Sequence, residues 1–269
     1  MPELPEVEAI ARSLRPLVCG QTIVQCRVIH PIAVRPQNPA TLRRSVQGQR
    51  IEDVERRGKY LLLRLARGCL VMHFRLDGQL VWFDSAQING HIDVALSLDA
   101  GTLGFVDRRH FGRVQWLARP EDSPGIRALG VDPLAREFTL QRFRALLENA
   151  RRPLKLLLMD QTRIAGLGNI YSSEALWHAR LHPRRRAHRL TPPEAAHLHK
   201  TIVYVLRGAL ECCVDPAPDL RDPAWWFQGL EKMLRVYARE AKPCRRCDGR
   251  IRKIEQGGRS SYFCPGCQH

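Results

Sequence analysis

The chain has 269 residues, of which 44% are hydrophobic, which allows one large or two ordinary domains and argues against global disorder. It carries 43 Lys and Arg against 27 Asp and Glu, a formal net charge of +16 at pH 7. An enzyme for small neutral molecules does not need such a field. A polyanion such as nucleic acid does benefit from it, because neutralised phosphates release their counterions.

The first residues, Met-Pro-Glu-Leu-Pro-Glu-Val-Glu, are acidic, which is the wrong sign for a signal peptide. Apolar runs are too short to suggest a membrane span. We therefore expect a cytoplasmic protein that does not enter a membrane. Five cysteines show no framework spacing, and we interpret them as reduced core residues: Cys19, Cys26, Cys69, Cys212 and Cys213.

Residues 5 to about 18 are predicted to form an amphipathic helix, because Val7, Ile10, Leu14 and Leu17 recur three or four positions apart. Acidic and basic residues lie between them, so one face is apolar. The helix is expected to pack this face against the domain that follows.

From about 22 to 117 the pattern predicts strands. Tyr60–Leu65 and Leu70–Phe74 are short apolar runs, and His91–Leu98 alternates apolar with polar residues before the turn-forming Asp99-Ala100-Gly101. Several short strands at this spacing indicate a sandwich or barrel.

Residues 119–133 are rich in proline and glycine and predict a loop at a domain boundary. From about 138 to 210 the apolar spacing is helical. Within it, Gly166 and Gly168 are expected to end one helix, and Asn169 to cap the next. A helix that starts after a glycine turn offers backbone N–H groups to an anion, although many such turns have no ligand.

Four cysteines near the end of the chain have the spacing of a four-thiolate zinc site: Cys244, Cys247, Cys264 and Cys267. Four thiolates leave no open coordination position, so one structural Zn²⁺ is expected; two disulfides are the alternative. The stretch between the pairs carries Arg250, Arg252, Lys253 and Arg259 beside Gly257-Gly258. A zinc hairpin that presents cations to nucleic acid and a zinc ribbon that serves stability alone are both compatible with it.

Pro2 becomes the terminal residue if Met1 is removed. An α-amino group has a pKa of about 7.7–8.0, against about 10.4 for lysine, so a sizeable fraction is the neutral nucleophile near neutral pH. A secondary amine that attacks a sugar carbon forms an iminium, which is an electron sink for elimination. Glu3 and Glu6 are candidate proton-transfer groups.

Together with the N-terminal octapeptide and the cysteine motif, three internal motifs resemble bacterial formamidopyrimidine-DNA glycosylases of the formamidopyrimidine glycosylase/endonuclease VIII superfamily. They are Arg57-Gly-Lys-Tyr-Leu-Leu-Leu63, Asp107-Arg-Arg-His-Phe-Gly112 and Gly166-Leu-Gly-Asn-Ile-Tyr171. The resemblance runs from residue 2 to residue 268, in the same order.

The resemblance implies a bifunctional glycosylase and lyase of base excision repair that acts on duplex DNA. Pro2 would form a Schiff base with the damaged nucleotide, Glu3 would transfer protons at the sugar and Glu6 would support it. Lys59 would hold a phosphate near the lesion. The other phosphate-binding positions of the family match His73, Asn169 and Arg259.

An extruded nucleotide leaves a gap in the duplex. The family's gap-filling residues match Leu76, Arg109 and Phe111, although methionine is more usual at the first position. His110 stands where a second arginine is common, and Lys155 matches a lysine near the lesion.

The implied fold is α+β. An N-terminal catalytic β-sandwich with a flanking helix is expected over residues 1–131, a helix–two-turn–helix domain over 132–238 and a zinc-finger β-hairpin over 239–269. DNA would lie in a basic cleft, bound by a monomer.

The largest departure from the family is at 211–230, where prolines and a Trp225-Trp226-Phe227 cluster replace a glycine- and threonine-rich capping loop. We therefore predict stronger activity on ring-opened purines or further-oxidised bases than on 8-oxoguanine. The sequence leaves the contacts of Trp225 and Trp226 open.

Two alternatives are carried forward. One is an endonuclease VIII-like glycosylase for oxidised pyrimidines, which the altered capping loop permits. The other is a damaged-DNA-binding protein without chemistry, which would need the zinc motif and the basic surface but not Pro2, Glu3 or Glu6.

Overall fold

The structure is a computed structural model, and it describes residues 2–84, 91–148, 150–214, 219–222 and 230–269. Two compact units emerge. The first comprises the described residues up to Arg127 together with 213, 214 and 219–222, and the second comprises Ala128–Cys212 and the described residues from 230 onward. The three-part division at 131 and 238 stays a prediction.

The first unit is mainly β. Its strands are β1 (Ile23–Val28), β2 (Ile51–Arg57), β3 (Tyr60–Leu65), β4 (Cys69–His73), β5 (Gln79–Phe83), β6 (Val94–Leu98), β7 (Gly101–Val106) and β8 (Arg113–Leu117). They form two four-stranded antiparallel sheets, in the orders β1-β6-β7-β5 and β2-β3-β4-β8. Side chains from both sheets share one apolar core, which makes this unit the expected sandwich.

Helices α1 (Leu4–Val18), α2 (Pro39–Val46) and α3 (Pro124–Arg127) accompany the sheets. The predicted amphipathic helix is confirmed, because Val7, Ile10 and Leu14 on α1 are fully buried in the core while Arg12 and Arg15 face outward. Burying three such side chains contributes roughly 1.5–3 kcal/mol each, so the helix is held mainly by this face.

The second unit is helical with one hairpin. It contains α4 (Leu140–Glu148), α5 (Leu154–Leu158), α6 (Asn169–His178), most of α7 (Pro192–Val214), α8 (Leu230–Met233), and the strands β9 (Arg252–Gln256) and β10 (Arg259–Phe263). The predicted change from strands to helices is therefore confirmed, as is the hairpin between the cysteine pairs.

The segment 119–133, predicted to be rich in loops, also contains a short 3₁₀ helix, Pro120–Asp122, and the one-turn helix α3. Two local predictions are wrong. Asn169 is the first residue of α6, and Gly168 occupies the cap position. Cys212 is exposed rather than buried, because it lies on the outer face of α7.

Within the described residues, no helix is long and apolar enough to cross a bilayer.

Candidate active site and metal centre

The chain enters α1 through a turn that fixes the residues after Pro2. The Glu3 N–H donates to Oε2 of Glu6 at 2.8 Å, and the Val7 N–H donates to the Glu3 carbonyl at 3.1 Å. Glu3 and Glu6 are 1% and 2% exposed. Both glutamates in this turn are therefore shielded from bulk water.

Lys59 lies in the two-residue turn that joins β2 to β3. Arg57 pairs with Tyr60 across the turn, and Gly58 has a φ of 57°, a conformation that glycine adopts without strain. The tight turn directs Lys59 into the unit, where the residue is 7% exposed. It is therefore a buried turn lysine and not an exposed strand residue.

His73 ends β4 beside this turn, with its ring edge-on to Tyr60 at 4.6 Å between centroids. The pKa of His73 is lowered to about 3 by burial, and further by the charges of Arg75 and Lys59. Nδ1 accepts the Arg75 N–H at 3.0 Å. The neutral ring therefore has its hydrogen on Nε2, the atom that can donate to a phosphate oxygen.

The predicted gap-filling residues are all exposed, and an ion pair links the two loops that carry them. Leu76 is 40% exposed and Phe111 is 46% exposed, both high values for large apolar side chains. The Arg109 guanidinium lies 5.0 Å from the Phe111 ring centroid and 3.3 Å from the carboxylate of Asp77, next to Leu76. The ion pair thus joins two loops that are distant in sequence, and the cation–π contact orients Arg109 within its own loop.

The loop 107–112, which carries Arg109 and Phe111, is built around the buried Asp107 carboxylate. This group accepts the N–H of Arg109 at 3.0 Å and that of Gly112 at 2.5 Å. Arg113 donates to the carbonyls of residues 110, 111 and 112 at 2.9, 3.1 and 2.6 Å. The loop therefore keeps its shape through protein contacts of its own, which is preorganisation for a ligand.

In the second unit, Lys155 on α5 is 1% exposed. Its ammonium donates to the Asn169 carbonyl at 3.1 Å and to the Ser173 hydroxyl. These contacts fix the first turn of α6 from inside the unit. The family resemblance predicts a lysine near the lesion at this position. In the structure, the Lys155 ammonium contacts groups of the protein itself.

Asn169 begins α6 directly after Gly168, and Gly166 two residues earlier has a φ of 89°. The glycine turn and the helix N-terminus together form an anion-binding geometry. Oδ1 of Asn169 is buried and has no hydrogen-bond partner among the residues that the structure describes. This oxygen is a hydrogen-bond acceptor and can pair only with a donor, so the NH₂ group of the same side chain is the one that could contact an anion.

Glu174 is a residue that the sequence analysis missed. Its carboxylate, 1% exposed, accepts the N–H groups of Arg235, Val236 and Tyr237 at 2.8, 3.0 and 2.8 Å. Burial raises the pKa of Glu174, while these three hydrogen bonds lower it. It connects α6 to the segment that leads into the zinc motif, and the sequence contains no local signal for such a distant contact.

The four C-terminal cysteines converge: their sulfur atoms all lie within 4.8 Å of one another. The Sγ separations include 3.9 Å for Cys244–Cys267, 3.5 Å for Cys247–Cys264 and 3.3 Å for Cys247–Cys267. Tetrahedral zinc with bonds of about 2.3 Å places sulfurs about 3.8 Å apart, so the thiols fit one zinc ion. Burial and hydrogen bonds from neighbouring thiols raise the pKa of Cys267 to about 12, and a bound cation would offset this.

The zinc motif supports the hairpin β9–β10. Gln256 pairs with Arg259 across Gly257 and Gly258, whose φ values of 58° and 70° suit a two-residue hairpin turn. Arg259, the first residue of β10, is exposed. A cation is thus presented at the tip of a metal-stabilised hairpin.

Three family models match the chain in sequence order. They are the formamidopyrimidine-DNA glycosylase N-terminal domain over residues 1–114, the formamidopyrimidine-DNA glycosylase H2TH domain over 129–215, and the zinc finger found in FPG and IleRS over 241–269.

Similar proteins agree with these matches. The formamidopyrimidine-DNA glycosylases of Pelotomaculum thermopropionicum and Chloroflexus aurantiacus are each 41% identical, covering 100% of this chain and 99% and 98% of their own. A complex of Lactococcus lactis Fpg with DNA containing an abasic site superposes with a TM-score of 0.89 at 31% identity, covering 99% of both chains. A second L. lactis Fpg complex, with DNA containing an oxidised pyrimidine, gives 0.90 at 30% identity and full coverage.

The sandwich, the H2TH domain and the zinc finger together define a DNA glycosylase of base excision repair, with a structural zinc and with DNA as its partner. The chain belongs to the formamidopyrimidine-DNA glycosylase family.

Proposed function

We propose that the protein is a bifunctional glycosylase and abasic-site lyase that uses Pro2 as its nucleophile. The Pro2 nitrogen, freed by removal of Met1, attacks C1′ of the damaged nucleotide. The glycosidic bond breaks, and the base leaves with its electron pair and takes up a proton. The proline nitrogen loses its proton, the C1′–O4′ bond breaks with a proton delivered to O4′, and the nitrogen lone pair forms the iminium with C1′. Loss of a C2′ proton expels the 3′ phosphate, and a second elimination expels the 5′ phosphate.

The buried turn at Glu3 and Glu6 is the observation that carries this proposal. Glu6 holds the Glu3 backbone N–H, so the residue next to Pro2 has one fixed orientation. The Glu3 carboxyl, 1% exposed, is the proton-transfer group at the sugar. Glu6 is a positioning residue that acts through Glu3.

Lys59, neutral His73, Asn169 and Arg259 are the proposed phosphate contacts, from turns, a strand end and a helix start. Lys59 and Arg259 supply charge, whereas His73 donates from Nε2 without adding charge. Lys155 is a positioning residue for Asn169, because its ammonium holds the Asn169 carbonyl. Lys59 and His73 in the first unit, and Asn169 and Arg259 in the second, thus give each unit its own donors for phosphate.

Leu76, Arg109 and Phe111 are proposed to fill the gap left by the extruded nucleotide. The exposed apolar side chains can stack in the duplex, and Arg109 can hydrogen-bond the partner base. Leucine in place of methionine keeps an apolar side chain that is unbranched at Cβ, so the wedge is retained.

Ring-opened purines are the proposed substrate class. The family name of the relatives supports this class, as does a similar L. lactis Fpg mutant in complex with Fapy-dG DNA, with a TM-score of 0.89 at 29% identity. Oxidised pyrimidines are the second candidate, because a similar L. lactis complex contains one. Trp225 and Trp226, on which the preference against 8-oxoguanine depends, lie outside the described residues.

Borohydride trapping on a duplex with one abasic site tests the nucleophile. The unblocked protein should form a covalent adduct, and protein with an acetylated N-terminus should form none. Pro2→Gly, which replaces the secondary amine by a primary one, should form less. Glu3→Gln should slow base excision by about 10²- to 10⁴-fold. Glu8→Gln is the matched control, since Glu8 lies on the same helix but pairs with Arg12 and Arg56. An undiminished adduct from the acetylated protein would refute the mechanism.

We further propose that the protein acts as a monomer on chromosomal DNA in the bacterial cytoplasm. The named relatives come from bacteria, and the similar L. lactis Fpg structures are complexes with DNA. Light scattering of the protein with and without a lesion duplex checks the stoichiometry; a dimer in both states would contradict it.

A further inference from the structure

A second group of metal-binding side chains lies in the first unit. His30 follows β1, Asp93 precedes β6 and His110 lies in the loop 107–112. One ligand atom from each lies within 4.8 Å of the others. Asp93 is fully buried and both histidines are half-buried. Carboxylate oxygen and imidazole nitrogen are donors that divalent transition metals accept.

The carboxylate at the centre of this group is fixed by its surroundings. Oδ2 of Asp93 accepts the Asp107 N–H at 2.6 Å, and Oδ1 lies 2.8 Å from Nδ1 of His110. The Asp93 carbonyl accepts the His30 N–H at 3.1 Å. These hydrogen bonds fix the orientation of the Asp93 carboxylate and the position of the His30 backbone, as the hydrogen bonds around metal ligands do in known sites.

A third imidazole, that of His91, completes the group. Its ring stacks on His30 at 4.8 Å with an interplanar angle of 21°, and lies 5.3 Å from the ring of His110. Nε2 of His91 is 3.6 Å from Oδ1 of Asp93, and it is buried without a hydrogen-bond partner within the described part of the chain. An orphaned buried ring nitrogen costs free energy that a bound ion would recover.

We propose that His30, Asp93 and His110 bind one divalent transition-metal ion of the zinc class, with His91 as the fourth donor. Four donor atoms that each lie about 2.0–2.1 Å from a tetrahedral zinc ion are about 3.3 Å from one another. The donor atoms of His30, Asp93 and His110 lie within 4.8 Å of one another, and rotation of the imidazole rings would bring them to the shorter spacing. The Asp93 carboxylate supplies the negative charge, and the rings supply neutral nitrogen. This site has no thiolate and is separate in composition from the four-cysteine site.

Because His110 lies in the loop 107–112, a bound ion would also affect this loop. His110 lies between Arg109 and Phe111, the proposed gap-filling residues, so a bound ion ties their loop to the residues beside β1 and β6. The ion therefore stabilises the loop against local opening. This consequence for DNA rests on the proposed function, whereas ion binding itself does not.

Titration of zinc-loaded protein with Co²⁺ in the absence of DNA tests the site, with native mass spectrometry to count ions. The wild type should bind a second ion, and its visible spectrum should show nitrogen and oxygen ligation without thiolate charge-transfer bands. His30→Gln and His110→Gln should each weaken this ion by more than about tenfold. His197→Gln, at an exposed histidine outside the group, is the matched control and should bind like the wild type.

Circular dichroism and the retained zinc ion show that each variant is folded. The proposal is overturned if the wild type takes up only one ion per chain at millimolar metal, if both variants keep the second ion, or if the bound cobalt shows thiolate bands. Since no DNA is present, failure of the proposed repair function would leave this titration unchanged.

Discussion

Two hairpins with two-residue turns each present a cation but are supported in different ways. Gly58 and Lys59 join β2 to β3, and Gly257 and Gly258 join β9 to β10 before Arg259. On the first hairpin the inward side chains enter the large apolar core. Most residues of the second are exposed or half-buried, and the small apolar cluster beside it contains all four zinc-site cysteines. A cation can thus be positioned either by burial or by a metal ion.

Zinc removal should produce the largest difference between the hairpins. Cys264→Ser or chelation should unfold β9–β10 and abolish DNA binding, because structural zinc contributes about 10–16 kcal/mol of apparent binding free energy. Amide exchange should increase across 252–263 and stay unchanged across 51–65. Cys212→Ser is the control, since this exposed thiol lies outside the zinc site. Equal exchange of both hairpins after zinc loss would contradict the comparison.

Lowering the pH should reduce the stability of the fold through His73, which is buried beside the first hairpin. Its folded pKa of about 3 lies below the ordinary 6.5, so between these values the unfolded chain binds a proton that the folded chain excludes. This contribution therefore destabilises the fold as pH falls from 6.5 towards 3, by about 1.4 kcal/mol per pH unit. His73→Gln should remove that slope.

Urea unfolding of the wild type and His73→Gln at pH 6.5, 5.5 and 4.5, each at about the same salt, measures the difference in slope. The exposed His197→Gln should follow the wild type. If the free energy of unfolding changed equally with pH in the wild type and His73→Gln, His73 would bind its proton as readily in the folded state as in the unfolded state, which would contradict the prediction.

Arg259→Gln should have the smallest effect on stability, within about 0.5 kcal/mol, because the side chain is exposed. It should nevertheless weaken duplex binding and reduce the slope of log K against log salt by about 0.9, the value for one phosphate contact. Fluorescence anisotropy over a salt series measures this slope. Arg119→Gln, at an exposed arginine of the first unit, should leave it unchanged, and an unaltered slope for Arg259→Gln would exclude the phosphate contact.

Much of the fold was predictable because the signals are local. The spacing of Val7, Ile10 and Leu14 predicted α1 and its buried face, and the cysteine spacing predicted the metal centre. The boundaries were less predictable. Asn169 was expected as a cap but is the first residue of α6, since a glycine can take the cap position without a side chain.

The sequence predicted the candidate site residues one by one, but it did not predict the contacts that hold them in place. The contacts between Asp77 and Arg109, and between Glu174 and the 235–237 backbone, join positions far apart in the sequence. The same holds for Lys155, whose position on a helix does not reveal that its ammonium is buried.

The sequence by itself determined the cation-rich character, the zinc ligands, the helix and strand periods and the family motifs, because each depends on composition or on spacing along the chain. The tertiary structure alone decided which polar groups became buried and which loops met. His30, Asp93 and His110 became one donor group only when strand pairing joined segments that are far apart in the chain. Such contacts depend on three-dimensional packing, because the spacing of residues along the chain does not give the distance between segments that are far apart in sequence.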